Sequence, residues 1–339
     1  MEPDEILRIE SLSAYFYTQE GVVRAVDGAT LAVRRGKVLG VVGESGCGKS
    51  VTAQAVLRII PPPGRIIEGQ ILYRRRVSND DAGEVSEVLD IATLHARGKA
   101  MRDIRGGEIA MVFQEPMTSL DPVYTIGDHL LEAITLHQKV DRREARQRAI
   151  EMLQAVGMPQ PARTVDAYPH QLSGGMRQRA MIAIALSCHP SLLIADEPTT
   201  ALDVTTEAQI LDLMRKLQEE TGTAIMYITH SLGVIAEMSD DVIVMYLGKV
   251  VEQADVEALF YDPKHPYTRA LLHSIPRITA KTRQRLEPIR GIVPDPYSVP
   301  PGCPFWPRCA EFMPGLCDVA EPRFVILDSG HAVRCHLFR

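Results

Sequence analysis

Apolar positions along the chain follow two periodicities. Four short runs, Lys37–Val42, Ser191–Ala195, Ala224–Thr229 and Val242–Tyr246, read as strands. The last three are apolar at nearly every residue, as expected of parallel strands covered on both faces. Ser50–Ile60, Asp141–Val156 and Thr205–Thr221 carry the longer period of helices. Strands alternating with helices predict an α/β sheet domain. Residues 6–36 are β-prone and read as antiparallel strands with a turn at Asp27-Gly28. Residues 61–110, with Pro61-Pro62-Pro63-Gly64 and a polar stretch over Ser78–Glu87, read as a surface excursion with further strands. After about residue 260 prolines recur, which predicts few long elements and a need for an added clamp.

Composition narrows the class. With 339 residues there is room for one large domain, or a domain plus an extension. Apolar residues at 45% and charged residues at 24% suit a globular protein. A formal net charge of -6 leaves no electrostatic footprint for nucleic acid. The basic run at Asp141–Arg148 mixes signs, with Glu144 four residues before Arg148, and reads as a solvated helix face. No apolar run approaches the roughly 18 residues of a bilayer span. The start, Met1-Glu2-Pro3-Asp4-Glu5, is acidic and has no apolar segment of a signal peptide. The expectation is a cytoplasmic chain that meets a membrane only through partners.

Gly43-Glu44-Ser45-Gly46-Cys47-Gly48-Lys49-Ser50 fits G-x-x-x-x-G-K-[ST], between a predicted strand and a predicted helix. Glycines let such a loop wrap phosphate oxygens with its backbone N–H groups, and the helix N-terminus adds partial positive charge. Lys49 is expected to neutralise the β- and γ-phosphates, with Ser50 ligating Mg²⁺ and Val51 next to it. Ser191–Glu197 is an apolar strand that ends in two carboxylates. Asp196 suits a Mg²⁺ contact and Glu197 a base for the attacking water.

Leu172-Ser173-Gly174-Gly175-Met176-Arg177-Gln178-Arg179 resembles the signature of ATP-binding cassette (ABC) ATPases. As a Ser-Gly-Gly turn opening a helix it is a second anion site. In that family the turn closes over the nucleotide of the opposite subunit, so the resemblance implies an ATPase that works in pairs. Ser173, Gly174, Gly175 and Gln178, with Asp203 of the Thr200-Ala201-Leu202-Asp203 loop, are then the residues that reach across. The resemblance also makes Gln114 the glutamine that contacts Mg²⁺ and senses the γ-phosphate, His230 the switch histidine, and Phe16 the aromatic on adenine, with Tyr15 and Tyr17 beside it. Taken singly, such residues are more often loop, cap or core residues. It is their order along residues 6–260 that carries the family.

Three stretches are similar to the D-type ATPase subunits of oligopeptide and dipeptide importers. They are Phe113–Pro122, Tyr168–Arg179, and a tail with His265–Leu272 and Gly302–Cys309. Ser231 stands where Asp is usual, Thr200 where Ser is common, and the insert at 74–97 is longer and more polar than usual. The resemblance implies an ABC-type P-loop core, a mixed sheet flanked by helices, with an antiparallel β subdomain. It divides the chain into a nucleotide-binding domain at 1–259, with a helical subdomain near 115–187, and an extension at 260–339. It implies ATP and Mg²⁺ as ligands, and a cytoplasmic-face location. Its partners would be a related F-type ATPase subunit, two membrane-spanning permease subunits and an extracytoplasmic peptide-binding protein. A groove near Gln114 and Pro116–Pro122 would receive the permeases. Nickel complexes and glutathione are alternative cargoes of related systems.

Cys303, Cys309, Cys317 and Cys335 cluster in the tail. Clustered thiols in a reducing compartment point to metal, and four thiolates hold either a 4Fe-4S cluster or Zn²⁺. Some members of the resembled subfamily carry 4Fe-4S here, which favours the cluster. His331 and His336 flank Cys335 as substitute ligands. Two other classes compete. A soluble ABC ATPase of DNA repair or translation would carry two cassettes or a long coiled coil. A nucleotide-dependent binding module would not need Glu197 and His230 intact.

Overall fold

The computed structural model describes residues 1–79, 83–114, 119–200, 202–274, 289–327 and 330–338. Its strands are β1 (Glu5–Tyr17), β2 (Val22–Arg34), β3 (Val38–Val42), β4 (Gly64–Asn79), β5 (Gly83–Asp90), β6 (Ile109–Val112), β7 (Leu192–Asp196), β8 (Ala224–Thr229), β9 (Asp241–Tyr246), β10 (Lys249–Asp255), β11 (Phe324–Ile326) and β12 (Ala332–Arg334). The helices are α1 (Lys49–Val56), α2 (Lys99–Ile104), α3 (Ile126–His137), α4 (Arg142–Ala155), α5 (Pro161–Thr164), α6 (Gly174–Leu186), α7 (Val204–Thr221), α8 (Leu232–Met238), α9 (Val256–Tyr261) and α10 (Pro266–His273). They gather into two compact units. One comprises Met1–Leu7, Ala32–Val38 and Leu72–Ile228; the other Arg8–Leu31, Leu39–Ile71 and Thr229–Arg339.

In the first unit β6, β7 and β8 run parallel, with Ile109 opposite Leu192 and Ile194 opposite Met226. Every residue of β7 and β8 is buried, so their unbroken apolar runs follow from cover on both faces. α3, α4 and α6 pack on one another as a helical layer. Local chemistry sets their ends: Thr125 and Asp128 form a capping box on α3, and Asp141 caps α4 by accepting from the Glu144 N–H. The predicted Glu144–Arg148 pair forms at 2.6 Å. The excursion at 61–110 carries strands, as expected. β4 and β5 pair antiparallel there, Val77 opposite Val85, while residues 80–82 lie outside the described set.

In the second unit β3 runs parallel to β9, and β10, β12 and β11 follow antiparallel. Two local expectations are corrected here. The turn between β1 and β2 lies at Thr18–Gly21, where the Thr18 N–H donates to the Gly21 carbonyl at 2.9 Å. Gly28 instead sits inside β2 at φ +69°, and its N–H donates to the buried Ser13 hydroxyl. α1 stops at Val56 rather than reaching Ile60: Arg58 takes φ +54°, and the Pro61–Pro63 run biases the residues before it away from helix.

The described residues of the proline-rich tail are held by aromatic packing and by strand pairing. Tyr246, Tyr267 and Phe305 meet with ring centroids 4.7 to 5.3 Å apart, in a core shared with Val42, Val244 and Leu259. β12 adds to β10, Glu252 opposite Val333. The Glu252 carboxylate is fully buried and meets the His331 ring at 2.7 Å and the Lys264 and His265 N–H groups at 2.5 and 3.0 Å. No helix among the described residues is long and apolar enough to cross a membrane.

Candidate functional site

The loop Gly43–Lys49 joins β3 to α1. A Cβ on Gly43 would lie 2.2 Å from the Met245 carbonyl oxygen, and one on Gly48, at φ +103°, 2.1 Å from that of Ala25. Both positions therefore exclude side chains, and Gly48 also needs the left-handed region. Ser45 and Gly46 form the exposed apex. Lys49 is buried; its ammonium donates to the Gly43 carbonyl at 2.7 Å and the Glu44 carbonyl at 3.2 Å. That draws the loop around the charge that would meet phosphate. Ser50 and Val51 follow in the first turn of α1, half-buried. The Cys47 thiol is buried, and burial pushes its pKa up, so it is a packing residue and not a nucleophile.

Two residues that sequence reasoning missed also hold this loop. The Glu44 N–H donates to the Tyr267 hydroxyl at 3.0 Å. The Arg308 guanidinium donates to both Glu44 carboxylate oxygens, at 2.6 and 3.0 Å. Both belong to tail stretches that carried the family resemblance, but nothing in those stretches points at a loop more than 200 positions away.

In the first unit, β7 delivers Asp196, buried, and then Glu197, half-buried at φ +46°. A left-handed glutamate costs about 1–3 kcal/mol and concentrates at functional sites. One Glu197 carboxylate oxygen accepts from the Gln114 amide at 3.1 Å and the Thr200 hydroxyl at 3.0 Å. Gln114 and Glu197 thus meet beyond the ends of β6 and β7, and Asp196 is the last residue of β7. Thr200, noted in the sequence as a departure from Ser, hydrogen-bonds the Glu197 carboxylate. Pro116 of the expected groove and Ala201 of the 200–203 loop lie outside the described residues.

Ser173 caps α6, its hydroxyl accepting from the Met176 N–H, and Ser173 and Gly174 are exposed at that helix end. A Cβ on Gly175 would lie 2.6 Å from the Thr206 Cγ2, so the turn is packed directly on α7. Asp203 caps α7 through the Thr206 N–H and hydroxyl, at 3.0 and 2.6 Å, and those bonds hold its carboxyl below the usual range. Gln178 departs from expectation. It is buried at 1% exposure, one turn into α6, where it has no surface to offer a second subunit.

In the second unit Phe16 is half-buried, with Gly64 close enough that a Cβ there would lie 2.5 Å from its ring. Its neighbours are engaged elsewhere: the Tyr15 hydroxyl donates to Asp27 at 2.8 Å, and the Arg65 guanidinium lies 4.3 Å over the Tyr17 ring. His230 is exposed, directly after β8.

Cys303, Cys309, Cys317 and Cys335 line one small cavity with Phe305, Trp306 and His336. Burial pushes the Cys303 thiol up to about 12 and the Cys309 thiol to about 11, and the neighbouring thiols add to both. Thiolates would persist there only beside a strong Lewis acid. Among the described residues no three or more His, Cys, Asp or Glu side chains form a group that could hold a metal ion. The expectation of a bound metal, whether 4Fe-4S or Zn²⁺, is therefore not met by the thiols as they stand. His331 is also withdrawn as a substitute ligand, because its ring is committed to Glu252.

Residues 26–200 match the family described as ABC transporter, and residues 251–317 match the oligopeptide/dipeptide transporter C-terminal region. A Sinorhizobium fredii protein described as a "probable peptide ABC transporter ATP-binding protein" is 47% identical, over 98% of this chain and 95% of its own. The Escherichia coli dipeptide transport ATP-binding protein DppD is 44% identical, over 98% of this chain and 96% of its own. Among solved structures, the post-hydrolysis dimer of the ATP-binding cassette MJ0796 bound to ADP and Pi superimposes with a TM-score of 0.62 at 25% identity. That match covers 74% of this chain and 98% of the other.

Proposed function

Because the chain belongs to the ABC transporter ATP-binding family, with the C-terminal region of its oligopeptide and dipeptide branch, we propose that it is the ATP-hydrolysing subunit of a peptide importer. The observation that carries the peptide assignment is the tail match at 251–317, since the cassette alone is common to the whole family. The proposed division is a cassette at 1–259, with helical residues near 115–187, and an extension at 260–339.

The cassette is an ATPase, and its residues are proposed to take the roles that their motifs assign. Lys49 and the N–H groups of 43–50 hold the β- and γ-phosphates, and Phe16, whose neighbours are engaged, stacks on adenine. Ser50, Gln114 and Asp196 would hold Mg²⁺, which neutralises charge on the phosphates. Glu197, steadied by Gln114 and Thr200, takes the proton of the attacking water, and His230 orients the γ-phosphate. Ser173, Gly174 and Gly175 present an exposed helix N-terminus to the nucleotide of a second ATPase subunit, of the related F type, and Asp203 borders that contact. Two permease subunits and an extracytoplasmic peptide-binding protein complete the assembly, with this chain on the cytoplasmic face.

The thiol cavity is proposed to hold a 4Fe-4S cluster. Four cysteines lining one small cavity are the number such a cluster takes, one thiolate to each of its four irons. When bound it supplies a structural cross-link among Cys303, Cys309, Cys317 and Cys335. The whole reading is tested by co-purifying the chain with permease subunits and measuring ATP-dependent uptake of labelled di- and oligopeptides into vesicles. Uptake that persists without this chain, or an assembly that moves only non-peptide solutes, would sink it.

A further inference from the structure

Glu44 is held on every side. Lys49 donates to its carbonyl, Tyr267 accepts from its N–H, and Arg308 forks onto its carboxylate. The Arg308 guanidinium is itself fixed. It is 3% exposed, donates from Nε to the Arg290 carbonyl at 3.0 Å, and reaches the Tyr246 hydroxyl at 3.3 Å. The Glu44 carboxylate raises the Arg308 pKa further, so the guanidinium stays charged. A loop that grips phosphate through backbone N–H groups works best when they are oriented beforehand. It also works against itself if it carries an unpaired carboxylate beside a triphosphate.

We propose that Arg308 is a positioning residue of the nucleotide site, neutralising Glu44 and holding the phosphate loop in its binding shape. This rests on the reading of residues 43–50 as the ATP site. It also places the thiol cavity and the loop on one lever. Arg308 sits in the turn between Cys303 and Cys309, where the Trp306 N–H donates to the Cys303 carbonyl at 3.0 Å and the Cys309 N–H to the Trp306 carbonyl at 3.2 Å. The Cys303 N–H in turn donates to the Cys317 carbonyl at 2.8 Å.

The test uses the full chain, Mg²⁺ and a fluorescent ATP analogue. Arg308→Gln is expected to bind about tenfold more weakly, the loss of one charge-assisted fork, with kcat at saturating ATP within about twofold. Adding Glu44→Gln removes the stranded carboxylate, so the double variant should recover most of that affinity. Unchanged affinity in Arg308→Gln, or losses that simply add in the double variant, overturns the proposal. Should Arg308→Gln not fold, Arg308→Lys keeps charge and bulk without the fork. It is expected to bind about threefold more weakly, and parental affinity there overturns the proposal equally. Lys49→Ala in the same assay separates the two readings. If it binds like the parent, or the parent does not bind, the ATP-site assignment itself fails.

Discussion

The side-chain amide of Gln114 donates to Glu197 across 3.1 Å, onto the same oxygen that accepts from Thr200. Two neutral donors on one oxygen orient the carboxylate without discharging it. Glu197→Gln keeps the shape and removes the base. Affinity for Mg-ATP should stay within about threefold, while turnover falls by roughly 10²–10⁴. Equilibrium binding of a labelled nucleotide beside steady-state phosphate release checks this. Turnover within tenfold of the parent would remove Glu197 from the base role.

Thr200→Ala leaves the Gln114 amide donating to that oxygen. Losing one neutral hydrogen bond costs about 1 kcal/mol, so kcat should fall about fivefold with KM nearly unchanged. Thr200→Ser should restore most of it. A fall in KM and kcat together, or no rescue by Ser, would place Thr200 outside the positioning of Glu197.

Gly175 can be tested without touching nucleotide binding by the chain itself. An added methyl at 2.6 Å from the Thr206 Cγ2 meets a branched side chain on a helix and must displace the turn. Gly175→Ala should leave single-chain ATP affinity within about twofold yet lower the ATPase activity of the paired subunits about tenfold or more. Equal activity in parent and variant assemblies would show that the α6 N-terminus does not act in trans.

Much of this site was legible beforehand because its parts are local. A phosphate loop needs small residues at fixed spacing, and Gly43 and Gly48 meet carbonyl oxygens within 2.2 Å of any added Cβ. Buried parallel strands announce themselves as unbroken apolar runs, as at β7 and β8. What was not legible is long-range. Arg308 reaches Glu44 across 264 positions, and no periodicity records that. β11 and β12 are three residues each, too short to stand out among prolines. Gln178 departs for a different reason: the family resemblance put it among the residues that reach across, but its side chain is buried on α6.

The thiol cavity yields a compositional prediction. Protein purified without oxygen should be coloured and carry about four iron and four sulfide per chain, with little zinc. Cys303→Ser should lose the colour and lower the melting temperature of the tail contacts. Colourless anaerobic protein, or one zinc per chain, would exclude the cluster.

The pH dependence of stability has an identifiable source at His265. The ring is buried at 1% exposure, and burial lowers its pKa from 6.5 to about 4, with Arg269 lowering and Glu252 raising it. Its Nδ1 accepts from the Tyr267 N–H at 3.0 Å as the cap of α10, so the folded chain needs the neutral ring. The unfolded chain takes a proton near pH 6.5 and the folded chain does not until about 4. Stability is therefore complete above 6.5, falls as pH drops through that window, and levels near 4, a loss of up to about 3 kcal/mol. Glu252 acts lower. Burial raises its carboxyl, but the bonds from His331, Thr268 and the Lys264 and His265 N–H groups outweigh that and hold it below its usual range. Its contribution is lost only as pH falls below the ordinary carboxylate value. Urea unfolding between pH 7 and 5 isolates His265, and His265→Asn, which keeps a capping oxygen without titrating there, should flatten the slope. An equal slope in parent and variant would assign the acid sensitivity to other groups.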